Sequence, residues 1–184
     1  MVSGPSGAGK SSVVAGLAER LPFHFSVSMT TRPARPGEQN GVDYLFVDPA
    51  RFAAARDAGE LLEWAEYSGH LYATPRSPVE AHLAAGEDVM LDRELLGAAQ
   101  VKAAYPEALL VFIAPPSLEV LEARLRGRGD TGERQIARRL ALARDQMAEA
   151  RAWFDHIVVN DDLQRAISEV AGILTAPAPP GSPS

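Results

Sequence analysis

Gly4-Pro5-Ser6-Gly7-Ala8-Gly9-Lys10-Ser11, close behind Met1-Val2-Ser3, satisfies the pattern G-x-x-x-x-G-K-[ST] in full. The spacing has a chemical reason. Gly7 and Gly9 let the backbone curl until successive N–H groups point inward at phosphate oxygens. A helix opening at Lys10 adds the positive end of its dipole. Lys10 then reaches β- and γ-phosphates, and the Ser11 hydroxyl ligates the Mg²⁺ that accompanies ATP. Taken alone, the pattern also fits a glycine-rich turn without function. Here Val2-Ser3 reads as the end of a strand, and Val13, Val14, Leu17 and Leu21 recur on one helical face. Strand, loop and helix in that order are the setting that nucleotide binding requires.

Outward from this loop, short apolar runs alternate with amphipathic segments. Phe23 to Met29 reads as a strand, Thr30 to Asp43 as a Pro- and Gly-rich loop, and Tyr44 to Val47 as a short strand. Pro49 to Ala58 reads as a helix, Leu61 to Tyr67 as a strand, and Pro75 to Ala85 as a helix stopped by Gly86. Asp88 to Asp92 follows as a buried strand, then a helix over Ala98 to Ala104. Ala108 to Ala114 is apolar throughout, as a central parallel strand covered on both faces would be. Ser117 offers an N-cap to a helix that ends near Gly127. A helix over Glu133 to Ala152, a strand over Ile157 to Val159 and a helix over Leu163 to Leu174 complete the series. The alternation predicts an α/β domain, a mostly parallel sheet flanked by helices, with a smaller insertion where strands crowd between Tyr44 and Tyr72. From Thr175 the tail TAPAPPGSPS lacks charge and large apolar groups and reads as disordered.

Composition narrows the function. A chain of 184 residues, 46% hydrophobic and 23% charged, suits one domain with a substantial core. Without cysteine, disulfides and thiolate metal sites are excluded. No apolar run suits a bilayer and no leader pattern opens the chain, so a cytoplasmic location and no membrane partner are expected. The net charge of −6 argues against a general nucleic-acid binder. Yet Arg124, Arg126, Arg128, Arg134, Arg138, Arg139 and Arg144 fall in one segment against only Asp130 and Glu133. That density fits either a local polyanion site or a solvated helix face. GTPases carry N-K-x-D, and Asn160-Asp161-Asp162 lacks the lysine. The arginines favour a kinase, whose lid neutralises a transferring phosphoryl group. His24, His70, His82 and His156 are scattered and carry no evident chemistry.

Five blocks extend the reading: GPSGAGKSS (Gly4 to Ser12), SVSMTTRPARPGEQNGVDYLFV (Ser26 to Val47), GELLEWAEYSGHLYATPR (Gly59 to Arg76), APPSLEVLEARLRGRG (Ala114 to Gly129) and VVNDDL (Val158 to Leu163). In order and spacing, from the first residues to about Leu174, they resemble the guanylate kinases. The resemblance implies a P-loop NTPase-type core (1–29, 75–127 and 153–174), a small α+β GMP-binding insertion (30–74) and an arginine-rich helical lid (128–152), before the tail 175–184. It implies ATP-dependent phosphorylation of GMP or dGMP in purine metabolism, and leaves the oligomeric state open. Arg32, Arg35, Tyr44 and Tyr72 match the family's clamp on the GMP phosphate, and two guanidinium forks with two phenols suit a dianion. Glu63 matches the acid that reads guanine, whose N1–H and N2 amine are adjacent donors that adenine lacks. Ser28 and Thr74 fall where the family places hydroxyls near the base, and Asp92 where it places an acid near GMP. On the ATP side the loop residues Gly4 to Ser12 include Ser12, Asn160 matches an adenine-region contact, and Arg124, Arg128 and Arg139 join Lys10 around the transferring phosphoryl group.

The chain also departs from the family pattern. After the buried strand it reads Asp92-Arg93-Glu94-Leu95-Leu96-Gly97, with Arg93 in an apolar residue's place, Glu94 for Asp and Leu96 for Gln. The longer Glu94 is expected still to reach the metal's water shell, with Arg93 beside it competing as an ion-pair partner. Ala73 replaces a glycine. Two other classes fit parts of the pattern: a non-catalytic guanylate-kinase-like binding module, and a related P-loop kinase of another phosphorylated small molecule. Lys10, Ser11, Arg128 and Arg139 oppose the first, and Glu63, Ser28 and Thr74 the second.

Overall fold

In a computed structural model the described residues are 1–67, 69–93, 95–127 and 132–176. The chain begins with β1 (Val2–Ser3), α1 (Lys10–Ala18), β2 (His24–Phe25), β3 (Ser28–Thr30) and β4 (Tyr44–Phe46). Next come α2 (Pro49–Asp57), the hairpin β5 (Leu61–Tyr67) and β6 (His70–Pro75), α3 (Arg76–Ala84) and β7 (Val89–Met90). It continues with α4 (Leu95–Ala104), β8 (Val111–Ala114), α5 (Leu118–Gly127), α6 (Glu133–Trp153), β9 (His156–Val159) and α7 (Leu163–Thr175). Among the described residues no helix is long and apolar enough to cross a membrane.

Two compact units emerge: Met1–Ser3 with Phe23–Leu110, and Gly4–Pro22 with Val111–Ser184. The first holds a four-stranded sheet in the order β4-β3-β6-β5. Strand β3 runs parallel to β4 and antiparallel to β6, so Ser28 lies beside Tyr44 and Thr30 beside Tyr72. Hairpin pairing sets Glu63 opposite Thr74. Those registers carry five of the expected site residues onto one sheet. Helix α2 starts where Asp48 accepts from the Arg51 backbone at 2.7 Å, with Pro49 in the first turn, and buries Phe52 and Ala55 against Met29, Leu61 and Ala73. Truncating a fully enclosed Phe52 to alanine would cost about 3–5 kcal/mol.

In the second unit β8 and β9 run parallel, Val111 beside His156 through Ala114 beside Val159. Ser117 caps α5 through the Val120 amide at 3.3 Å. Leu121 and Leu125, four apart on α5, pack with Ile136 and Ala143 of α6. Asp162 caps α7 by accepting from the Arg165 backbone at 2.8 Å, and Gly16 of α1 faces Ile167 of α7.

Several boundaries differ from the sequence reading. Phe23 to Met29 is not one strand: His24 and Phe25 pair with β7, and Ser28 onward pairs with β4 and β6, so the run changes partners. Within Ala108 to Ala114 only Val111–Ala114 is strand. Ala108 is held in a turn, its amide donating to Tyr105 at 2.9 Å and its carbonyl accepting from Lys102 Nζ at 2.8 Å. Helix α4 starts at Leu95, three residues before the expected Ala98. Strand β6 was not anticipated; it follows a turn in which Gly69 holds φ +79°. Helix α7 runs through Thr175, whose hydroxyl donates to the Ala171 carbonyl at 2.9 Å, so the tail begins later than expected. Residues 177–184, most of that tail, lie outside the described residues, as do Arg128 and Glu94.

Candidate active site

In the second unit the phosphate loop is drawn tight by its own carbonyls. Ala8 N–H donates to Pro5 at 3.1 Å, and Lys10 Nζ reaches back across the loop to the Gly4 carbonyl at 2.6 Å. The N-terminus of α1 has neither a side-chain cap nor an acid in its first turn, so its N–H groups remain available to an anion. Ser11 and Ser12 are exposed on that turn, and Ser6 is half-buried ahead of it. Gly9 adopts φ +94°, and a Cβ there would sit 2.2 Å from Asn160 Nδ2, so both conformation and space require glycine.

Asn160 is buried, and its side-chain amide donates to the Ala8 carbonyl at 2.8 Å. Its backbone N–H donates to Ala114 at the end of β8, also at 2.8 Å. Arg124 adds NH2 to the Asn160 carbonyl at 2.8 Å and NH1 to Ala8 at 3.4 Å. Asn160 and Arg124 thus converge on the crest of the loop. Arg139 is half-buried on α6. Arg126, one of the seven clustered arginines, binds Glu122 on its own helix and Glu133 in the first turn of α6. Glu133 and Glu122 push its pKa upward. The pair spans the sequence on both sides of Arg128.

The first unit holds the other group of candidates. Thr30 Oγ1 accepts from the Arg32 backbone at 3.1 Å and donates to the Leu71 carbonyl at 3.0 Å, fixing where Arg32 leaves the sheet. The Arg32 guanidinium lies 5.3 Å from the Tyr44 ring centroid, and Tyr44 meets Tyr72 edge-on at 6.1 Å. Three of the four expected phosphate ligands are therefore together. Burial raises the Tyr44 phenol above its ordinary value. Glu38, which the sequence reading missed, binds both Arg32 terminal nitrogens at 2.9 Å and accepts from the Arg35 backbone at 2.7 Å. Its hydrogen bonds raise Arg32's pKa, with Tyr72 adding to the effect, while Arg32 lowers Glu38's own. A carboxylate held in this fork presents two anionic oxygens to the guanidinium, the same bidentate pairing that a phosphate can make. The Arg35 side chain is exposed.

Glu63, Thr74 and Ser28 are buried a short way along the same sheet. Thr74 donates to Glu63 Oε1 at 2.6 Å. Gly97 of α4 closes against the other oxygen, where a Cβ would lie 2.4 Å from Glu63 Oε2. Asp92 is half-buried and bridges to Val2 through its backbone. The expected pairing of Arg93 with Glu94 lies outside the described residues, but Arg93 has partners across the sheet: its Nε lies 2.7 Å from Glu63 Oε1, and it also binds Ser28 and Thr74. Five of the eight residues expected around a nucleoside monophosphate, Ser28, Tyr44, Glu63, Tyr72 and Thr74, are aligned by strand register alone.

Against known proteins, the model of the family described as guanylate kinase matches residues 1–177. The guanylate kinase of Mycolicibacterium paratuberculosis is 54% identical over 182 residues, 97% of this chain and 81% of that protein. That of a Thermus thermophilus strain is 50% identical over 176 residues, 96% of this chain and 80% of that protein. The crystal structure of guanylate kinase from Anaplasma phagocytophilum superposes with a TM-score of 0.76 at 33% identity, covering 94% of this chain and 81% of that one.

Proposed function

This chain belongs to the guanylate kinase family, and from that premise we propose that it is an ATP:GMP phosphotransferase, acting on GMP and dGMP. The observation that carries the reading is one sheet bearing two chemically distinct sets of groups. Glu63 with Ser28 and Thr74 is a buried acceptor set for a base with adjacent donors, and Arg32 with Tyr44 and Tyr72 is a donor set for a dianion. Arg35 and Asp92 complete the GMP contacts in this proposal. A base, a sugar and a phosphate in that order describe a nucleoside monophosphate, and none of these groups needs a 2′-hydroxyl.

For ATP, the loop amides from Gly4 to Ser12 hold the phosphates, Lys10 meets the β- and γ-oxygens, and Arg124, Arg128 and Arg139 neutralise charge on the transferring group. Asn160 acts through the loop it supports. Phosphoryl transfer needs little covalent help from a protein, so these residues work by positioning and by charge. The exposed Ser11 hydroxyl is a hard oxygen donor, and it fits Mg²⁺ delivered with the nucleotide, an ion that favours phosphate, water and a few protein oxygens. Held there by Ser11, the ion would supply Lewis-acid neutralisation of phosphate charge. The division into core, GMP-binding insertion and lid, the cytoplasmic location and the place in purine metabolism belong to the same proposal.

The test is Glu63→Gln, which keeps shape but turns one acceptor into a donor facing a donor. With a base amine left unpaired at about 1–3 kcal/mol, kcat/KM for GMP falls about tenfold or more. The preference for GMP over IMP, which lacks N2, narrows as well. An unchanged GMP-to-IMP ratio would make Glu63 a structural residue.

A further inference from the structure

Nothing in phosphoryl transfer calls for an arginine at position 93, yet the base subsite is built around one. The Arg93 side chain keeps 8% of its surface exposed and that of Glu63 2%, so the two enclose each other. Nε stands 2.7 Å from Glu63 Oε1 and 2.7 Å from Thr74 Oγ1. One terminal nitrogen donates to Ser28 Oγ and, at 3.3 Å, to the Ala73 carbonyl. Every buried polar side chain assigned to the base is engaged by this one guanidinium.

Among the described residues, Arg93 and Thr74 take Glu63 Oε1 between them, Thr74 donating to it at 2.6 Å. Glu63 Oε2 is closed off by α4, where even a methyl group on Gly97 would come within 2.4 Å. The occupant also matches the ligand in kind. Guanine's N1–H and N2 amine flank one carbon, forming a guanidine unit within the ring, and arginine offers the same fork of parallel donors with a full charge.

We propose that Arg93 is a specificity-determining residue of the base subsite, an internal counterpart of guanine that holds Glu63 in the free enzyme and yields it when GMP binds. The inference rests on the reading of Glu63 as the guanine acceptor. A buried carboxylate without a partner is costly, so Arg93 keeps Glu63 satisfied while the subsite is empty. A base without the donor pair has nothing to offer Glu63 in exchange and leaves the carboxylate with Arg93. Discrimination thus comes from a competitor inside the protein as well as from contacts to the base. Affinity falls in return, since only the fraction of molecules with Arg93 displaced can bind.

Two measurements test this. Arg93→Met replaces the guanidinium with an unbranched apolar chain. If the closed form outweighs the open one about tenfold, KM for GMP falls about tenfold in the variant, KM for ATP holds, and the gain sits in KM rather than kcat. A KM for GMP that is unchanged or higher overturns the proposal. The second measurement needs no folded variant. In the ¹⁵N-labelled wild-type enzyme the Arg93 Nε–H exchanges slowly with solvent; saturating GMP makes it exchange fast, and AMP at the same concentration does not. Protection that persists under GMP overturns the proposal, even where the enzyme phosphorylates GMP. Failure of the wild type to use GMP at all instead removes the guanine reading, and this proposal with it.

Discussion

Asn160→Ala separates support of the phosphate loop from direct contact with the nucleotide. Among the described residues the side chain bonds through Nδ2 to the Ala8 carbonyl at 2.8 Å, and Ala8 is fully buried. Without it that carbonyl keeps, among the described residues, only Arg124 NH1 at 3.4 Å, too long to replace what is lost. Leaving a buried acceptor so poorly paired costs about 1–3 kcal/mol. For a chain of this size, each kcal/mol moves Tm by about 2–4 °C, so Tm falls by about 2–12 °C. Because the crest of the loop loosens, KM for ATP rises while KM for GMP stays the same. Asn160→Asp loses the same donor and sets a carboxylate against a carbonyl, so its Tm falls further. Thermal melts of the three proteins with steady-state kinetics in both substrates decide the matter. An Asn160→Ala protein that melts with the wild type but binds ATP weakly would refute the supporting role and make Asn160 a nucleotide contact.

Lys10→Ala removes the ammonium group held 2.6 Å from the Gly4 carbonyl; kcat falls about a hundredfold or more, with Tm nearly unchanged, and near wild-type turnover would show that the chemistry lies elsewhere. Stability declines on acidification through His24, which stacks on His82 at 3.5 Å. Burial, then the charge of His82, lower its pKa from 6.5 against the opposing pull of Glu87, which itself binds His82 Nδ1 at 2.6 Å. The unfolded chain then takes up this proton first, so the contribution is full above 6.5 and is lost as pH falls toward the folded value. Melts from about pH 7.5 to about pH 5 show that slope, and His24→Gln flattens it; an equal slope in the variant contradicts the assignment.

The parts of the molecule that could be read from its sequence are those whose physics is local. The phosphate loop needs its glycines, lysine and serine at fixed offsets, and Asp48-Pro49 and Ser117 start helices through bonds to residues three positions away. Strand partnership is not local. Phe23 to Met29 reads as one strand because its composition is uniform, yet its two ends pair with β7 and with β4 and β6, far apart in the chain. Ala108 looks like strand and is claimed for a turn by Lys102. The same limit applies in the site. Next to Arg93 the sequence offers only Glu94 as a partner, and Glu63, thirty positions earlier on β5, comes within reach only through the fold. Glu38 escaped notice because a glutamate in a Pro- and Gly-rich loop looks like a solubilising charge until the loop folds it onto Arg32. The resemblance to a family supplied Glu63, Ser28 and Thr74, and strand register explains why those positions converge.

The central claim is that GMP is the acceptor of the γ-phosphoryl group of ATP. A coupled assay of ADP release with Mg²⁺ and a panel of GMP, dGMP, AMP, UMP and IMP measures it directly. Release is expected with GMP and dGMP, more weakly with IMP, and at background with AMP, UMP or no acceptor. Turnover with AMP or UMP comparable to that with GMP would contradict it.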